Sequence, residues 1–269
     1  MTTNVTNAFT RDFLDNSRSN LMHYLWTNLF GFIIHPKIPT EGPNLRVADV
    51  GTGTGIWLLD VQQHLKSAQL DGFDISLDAA PPKETLPAGV KLHYWDVKED
   101  IPEGFKGVYD IINVRFFAFG LLNDDVPQVV AKLYELLKPG GYLQWGEPDL
   151  ETLRFDSTQP GCKMESLHSL FGLLAVQDPQ LKPTWINRLD NIFTDAGFVD
   201  IDTVVRDAPP HLAFIMHEAG LMIHDRIART TSSEHMASEL KRLLPEAVEE
   251  TRQGAYITSS RITVIGKKP

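Results

Sequence analysis

The sequence predicts an α/β protein, a doubly wound sheet of seven strands with a mostly helical cap. Three observations carry this. Between residues 45 and 148, short β-branched runs alternate with stretches of helical period, the order that builds a parallel sheet covered on both faces. Three glycines at alternate positions, Gly51, Gly53 and Gly55, join the first run to the first helical stretch. After residue 148 the alternation gives way to long helical stretches, and strand-like runs return only at 199–208 and at the end of the chain.

Residues 20–34, NLMHYLWTNLFGFII, read as a helix apolar on nearly every side and so buried on several. Residues 35–44 form a loop punctuated by three prolines. LRVADV (45–50) is the first strand. GIWLLDVQQHLK (55–66) is a helix with Trp57, Leu58, Val61 and Leu65 on one stripe. Strands follow at 68–76, 91–97 and 107–115, then an amphipathic helix at 126–141 stopped by Pro139 and a glycine pair, then a fifth strand at 142–148. Helical pieces at 162–176 and 184–198, a sixth strand at 199–208, a helical stretch at 210–250 and a single final strand at 255–268 complete the reading. The expected division is an N-terminal helical lid (1–44), a core (45–148), a helical cap insertion (149–183), and a return to the core (184–269) interrupted by a second cap insertion at 210–250.

Bulk properties narrow the function. A chain of 269 residues with 42% hydrophobic residues has ample material for a core, and a net charge of −10 argues against non-specific nucleic-acid binding. The single cysteine, Cys162, has no internal disulfide partner, which suits a reducing compartment and reads as structural. The N-terminus has no signal-peptide core and no apolar stretch is long enough to span a bilayer, so a soluble, cytoplasmic protein is expected. The oligomeric state is open, a homodimer included.

The glycine loop selects the ligand. In an open α/β sheet the ligand lies beyond the carboxyl ends of the strands. A dinucleotide loop spaces its glycines G-x-G-x-x-G and holds a pyrophosphate on the helix N-terminus. Here the pattern is D-x-G-x-G-x-G, and Asp49 would repel a pyrophosphate by several kcal/mol at ~4 Å in a partly dry site. S-adenosylmethionine (SAM) has no phosphate and carries a sulfonium and an ammonium, so it suits that carboxylate. Asp74, at the end of the second strand, is placed to accept from both ribose hydroxyls. Asp96 and the amide of Val97, after the third strand, are placed for the adenine.

The segments DVGTGTG, GFDIS, YWDV, YDIINVR and LKPGGYLQWGEPD resemble the successive motifs of class I SAM-dependent methyltransferases. HYLWTNLFGFIIHPKIP, VADVGTGTGIWLLD and VRFFAF look more narrowly like fungal methyltransferases of secondary metabolism. The resemblance implies a Rossmann-like sheet whose last strand is antiparallel. It implies Asp49, Gly51, Thr52, Gly53 and Gly55 for the methionine end, Asp74 with Ile75 for ribose, Asp96 with Val97 for adenine, and Val114 beside the cofactor. Thr52 departs from the Cys or Ser of many relatives.

Methyl transfer needs the acceptor held in line, and a base only where the acceptor must lose a proton. His168, Glu147 and His217 are the candidate bases. Tyr24, Arg115, Phe116, Phe171 and His224 are the candidate acceptor contacts, in a cap whose apolar residues suit a hydrophobic small molecule. No metal is expected: His217 and His224 stand seven apart, about 10 Å along a helix, and cannot share one ion. The reading is methyl transfer to a hydrophobic secondary-metabolite intermediate, at oxygen first. A non-methylating pericyclic or rearrangement enzyme on the same fold, and a non-catalytic SAM-binding regulator, are the alternatives.

Overall fold

The computed structural model describes residues 11–174 and 182–269. Expectations for residues 1–10, and for 175–176 at the end of the 162–176 helix, lie outside them. Among the described residues there are nine strands: β1 (Arg46–Val50), β2 (Gln69–Asp74), β3 (Val90–Tyr94), β4 (Tyr109–Arg115), β5 (Leu137–Pro148), β6 (Arg154–Ser157), β7 (Val199–Arg206), β8 (Ala255–Thr258) and β9 (Arg261–Lys267). Seven of them form one sheet in the order β3-β2-β1-β4-β5-β9-β7. The first five pair in parallel, and β9 runs antiparallel between β5 and β7. The expected seven-stranded sheet with an antiparallel last strand is therefore observed.

The expected final strand at 255–268 is two strands. Ala255–Thr258 pairs with Arg154–Ser157 in a separate two-stranded sheet, and only Arg261–Lys267 joins the main one. Ser259 and Ser260 break the run, and apolar periodicity cannot show that the two halves serve different sheets. The helices are α1 (Phe13–Phe30), α2 (Ile56–His64), α3 (Val126–Leu136), α4 (Glu165–Leu173), α5 (Leu189–Asp195), α6 (Pro210–Thr230) and α7 (Glu234–Arg252). α1 starts seven residues before the apolar run, because Asp12 caps it by accepting from the amides of Leu14 and Asp15, and it stops at Gly31 in the left-handed region. The expected stretch at 210–250 divides where Ser233 caps α7.

The two faces of the sheet differ. One packs Val50, Phe73, Ile112, Val114, Leu143, Trp145 and Val264 against α3 and α5, with Asp71 and Glu147 as buried acids on the same face. The other packs Val47, Ile111, Tyr142 and Ile265 near α2, then turns polar toward the carboxyl ends of the strands, where Asp49, Asn113 and Gln144 face the same way. α1 lies over this polar half.

The remaining helices pack on each other. Leu167 and Leu170 of α4, Leu221 and Ala228 of α6, and Leu240, Leu243 and Ala247 of α7 bury one cluster with Ala255 of β8. α4 has no side-chain cap of its own, and Glu250 of α7 supplies one, accepting from the amides of Ser166 and Leu167 at 2.9 Å each.

Gly146 of β5 sets how close α1 comes. A Cβ there would lie 2.8 Å from Cζ2 of Trp26, which is buried. Gly146→Ala is expected to destabilise the chain by about 1–3 kcal/mol through overpacking. It should also make α1 easier to cleave, as limited proteolysis beside a thermal melt would show.

Candidate cofactor and acceptor site

Gly51, Gly53 and Gly55 have φ values of 76°, 52° and 74°, a region that favours glycine. The loop curls onto β2, with the amides of Gly51 and Thr52 donating to the Phe73 carbonyl at 2.8 and 3.0 Å. A side chain at Gly51 would overlap the Phe117 ring, whereas added Cβ atoms at Gly53 and Gly55 meet nothing within 4 Å. The loop is thus closed on the Phe117 side and open over Gly53 and Gly55, which leaves room for a ligand to approach the backbone.

Asp49 lies beneath the loop, 4% exposed. Nδ2 of Asn113 donates to its Oδ1 at 2.7 Å, Nε2 of Gln144 donates to Oδ1 of Asn113 at 2.9 Å, and Oε1 of Gln144 accepts from the His35 amide at 2.7 Å. This chain ties the acid to the segment after α1. Burial pushes the Asp49 carboxyl up to about 6, against the Asn113 hydrogen bond. Asn113 and Gln144 escaped the sequence reading. Their signal is a polar residue at the same pleat position in two otherwise apolar strands.

A second polar chain holds α1. Nη2 of Arg115 donates to Nδ1 of His23 at 2.9 Å, so the His23 Nε2–H donates to Asp60 at 3.0 Å. His23 is fully buried, and burial, followed by the Arg115 charge, lowers its pKa. Burial also lowers Arg115 to about 10, opposed by Asp49 and Glu147, so the guanidinium stays charged at neutral pH. Phe116 sits at φ 65°, with its ring edge-on to Trp26 at 5.1 Å.

Glu147 is fully buried, and both its oxygens are engaged. Oε1 accepts from the Phe117 amide at 2.6 Å and the Trp145 indole at 2.7 Å, and Oε2 from the Ala118 amide at 3.1 Å. Burial pushes its carboxyl up to about 7. Glu147, the candidate base, thus clamps the turn after β4.

Asp74 accepts from the Gly53 amide at 2.9 Å and the Ser76 amide at 3.1 Å, with Nη2 of Arg11 at 3.7 Å. Ile75 beside it is exposed. Asp96 accepts from the Lys98 amide at 2.9 Å. The side chains of Val97 and Val114 are buried in the α3-side core, so only their backbone could meet a cofactor.

The cap histidines stand in separate surroundings. Nδ1 of His217 accepts from the Ile257 amide at 3.3 Å, its Nε2 meets Oγ1 of Thr251 at 2.9 Å, and burial pulls its pKa down to about 4. Both ring nitrogens of His217 are thus engaged within the chain. His224 binds the Gly220 carbonyl through Nδ1 at 3.2 Å, packs on Phe171 with ring centroids 4.4 Å apart, and is likewise lowered to about 4 by burial. His168 is exposed and stacks on Phe155 of β6 at 3.6 Å. Tyr24 is exposed, edge-on to His23. A cavity of about 390 Å³ opens between α1, α6 and α7, lined by Leu14, Phe214, Met222 and Thr251 among others. It touches α1 through Asp15 and Arg18, whereas Asn20 and His23 of that helix reach Thr54 of the glycine loop and Asp60 of α2.

A glycine loop over a buried acid, with further acids after β2 and β3 on this sheet, defines an α/β protein of the nucleoside-binding class. Comparisons sharpen that. Residues 48–143 match the family described as a methyltransferase domain. The chain is 35% identical over 147 residues to the methyltransferase grgD of a Penicillium species, covering 52% of this chain and 49% of that protein. It is 31% identical over 196 residues to the N-methyltransferase tcpN of Claviceps purpurea, covering 71% of this chain and 68% of that one. The chain spans about half the length of the first curated relatives it matches. A SAM-dependent methyltransferase from Archaeoglobus fulgidus shares the fold, with a TM-score of 0.50, 16% identity and 94% of each chain covered. The chain belongs to the methyltransferase family. No helix among the described residues is long and apolar enough to cross a membrane.

Proposed function

We propose that the chain transfers a methyl group from SAM to a hydrophobic small molecule of fungal secondary metabolism, at nitrogen ahead of oxygen. The observation that carries this reading is the buried Asp49 carboxylate under an open glycine loop, a place that repels a pyrophosphate and attracts a cationic amino acid. Asp49 with Gly51, Thr52, Gly53 and Gly55 would hold the methionine end, Asp74 with Ile75 the ribose, and Asp96 with the Val97 amide the adenine. SAM supplies a methyl carbon already activated by positive sulfur. The work left to the chain is to orient the acceptor and exclude water. α1 serves as the lid, with its own Trp26 and the Arg115 and Phe116 beneath it as the acceptor side, and α4, α6 and α7 serve as the cap. The name of the Claviceps relative supports nitrogen over the oxygen expected from sequence.

Incubation with methyl-labelled SAM and a panel of hydrophobic amines, amides and phenols should move label into a nitrogen-bearing product and release S-adenosylhomocysteine. Turnover of an acceptor with no methyl consumed would overturn the reading.

A further inference from the structure

The proposed methyl transfer leaves one group of buried polar atoms without a role. β9 runs antiparallel to β5, so its first residues stand at the same edge of the sheet as the carboxyl ends of β1, β4 and β5. The register places Arg115, Gly146 and Thr263 side by side on three neighbouring strands, and Arg261 opposite Pro148, one pleat nearer the rim. All four lie on the face that Asp49 occupies, and Trp26 of the lid packs on Gly146 with Thr263 at its side.

Arg261 is 7% exposed. Its Nη1 donates to the Ser259 carbonyl at 2.7 Å, and its Nε has no partner among the described residues. The carboxylate that acts on it, Asp207, is held elsewhere, by Arg154 at 3.4 Å and by the Ser260 hydroxyl at 2.9 Å. The hydroxyls of Thr263 and Thr258 are buried and likewise have no partner among the described residues. Three unmatched polar side chains thus fall within six residues, around the turn that delivers β9 to the functional edge. A buried cation whose acting carboxylate is shared with other donors is only partly compensated, and an unmatched buried hydroxyl adds to the cost. Structures keep such groups where a ligand completes them.

We propose that Arg261, with the hydroxyls of Thr263 and Thr258, recognises an anionic oxygen on the methyl acceptor, a carboxylate in the first instance. The proposal rests on the methyltransferase reading and adds to it the class of acceptor. The guanidinium supplies charge and a donor from β9, the Thr263 hydroxyl a neutral donor two residues along the same face, and Thr258 a further hydroxyl before the turn. The apolar body of the acceptor would then lie toward Trp26 and Phe116.

The test uses the full chain saturated with S-adenosylhomocysteine and three probes of one shape: 2-naphthoate, 2-naphthamide and 2-naphthylmethylamine. Calorimetry should show 2-naphthoate binding at least about tenfold more tightly than the other two. Arg261→Gln should erase that preference and leave S-adenosylhomocysteine affinity within about twofold. Thr263→Val keeps the shape of the side chain and removes an unmatched hydroxyl. It should weaken 2-naphthoate binding several-fold while the melting temperature of the ligand-free chain holds or rises, which a merely structural hydroxyl would not do. Equal binding of the three probes, or a carboxylate preference that survives Arg261→Gln, overturns the proposal while S-adenosylhomocysteine still binds. Failure of S-adenosylhomocysteine itself to bind overturns the methyltransferase reading beneath it.

Discussion

Asp49→Asn is expected to make the ligand-free chain more stable and to weaken SAM binding by roughly 10- to 100-fold, the range for one charge-assisted hydrogen bond of about 1.5–3 kcal/mol. The side chain is 4% exposed, and the Asn113 hydrogen bond at 2.7 Å and the lesser influences of Thr52 and Arg115 do not offset its burial. An acid raised from 3.8 to about 6 is penalised when ionised. In the folded state it binds its proton more tightly than in the unfolded chain, so stability is lost as pH rises from about 4 to about 6 and stays lost above. The loss amounts to about 3 kcal/mol. Asparagine keeps the acceptor for Asn113 and removes the charge. The melting temperature of Asp49→Asn should therefore exceed that of the parent by several degrees at pH 7.5, and the gap should close near pH 4. Calorimetric titration with SAM supplies the other half. Wild-type affinity should fall as pH drops through about 6, because the carboxylate must be ionised to meet an ammonium, and the variant should show no such dependence. A variant that is less stable yet binds normally would remove Asp49 from the site.

That a buried acid lies at this position was legible in the sequence, because Asp49 sits two residues before the first glycine at the end of an apolar strand. The sheet was legible for a similar reason: β-branched runs alternate with helical periods over residues 45–148, and periodicity reports burial of each element one at a time. What periodicity cannot report is which elements share a face. The link from Asp49 through Asn113 and Gln144 to His35 crosses three strands and the segment after α1. Each residue alone looks like an ordinary polar interruption. The same limit hid the Arg115–His23–Asp60 chain, whose members stand 92 and 37 residues apart. It also hid the surroundings of His217, which has the residue type of a base and whose two nitrogens meet the Ile257 amide and the Thr251 hydroxyl. Residue type is written in the sequence, and the occupancy of lone pairs is a property of the fold.

Glu147 completes the contrast with Asp49, since both are buried acids with raised pKa values, yet their removal should act in opposite directions. Glu147→Ala is expected to destabilise the chain by about 3–9 kcal/mol at pH 5, because three donors lose their acceptor at about 1–3 kcal/mol each. Those donors are the amides of Phe117 and Ala118 and the Trp145 indole. The pH dependence carries the sign. Burial raises Glu147 from 4.5 to about 7, so its folded form is favoured while protonated, and wild-type stability declines as pH climbs from about 4.5 to about 7. The difference between wild type and Glu147→Ala should therefore shrink by about 3 kcal/mol between pH 5 and pH 8. Glu147→Gln separates charge from clamp. Its carbonyl oxygen can still take the Phe117 amide and the Trp145 indole, but its amide group then faces the Ala118 N–H, donor against donor. It should lose about 1–3 kcal/mol at pH 5 and lack the pH dependence of the parent. Because Phe116 is held at φ 65° between Arg115 and the clamped amides, a slackened clamp releases the ring from Trp26 and with it the fit of α1 over the acceptor side. Acceptor KM should rise more than SAM affinity falls. A variant that lost SAM binding first would place Glu147 with the cofactor instead.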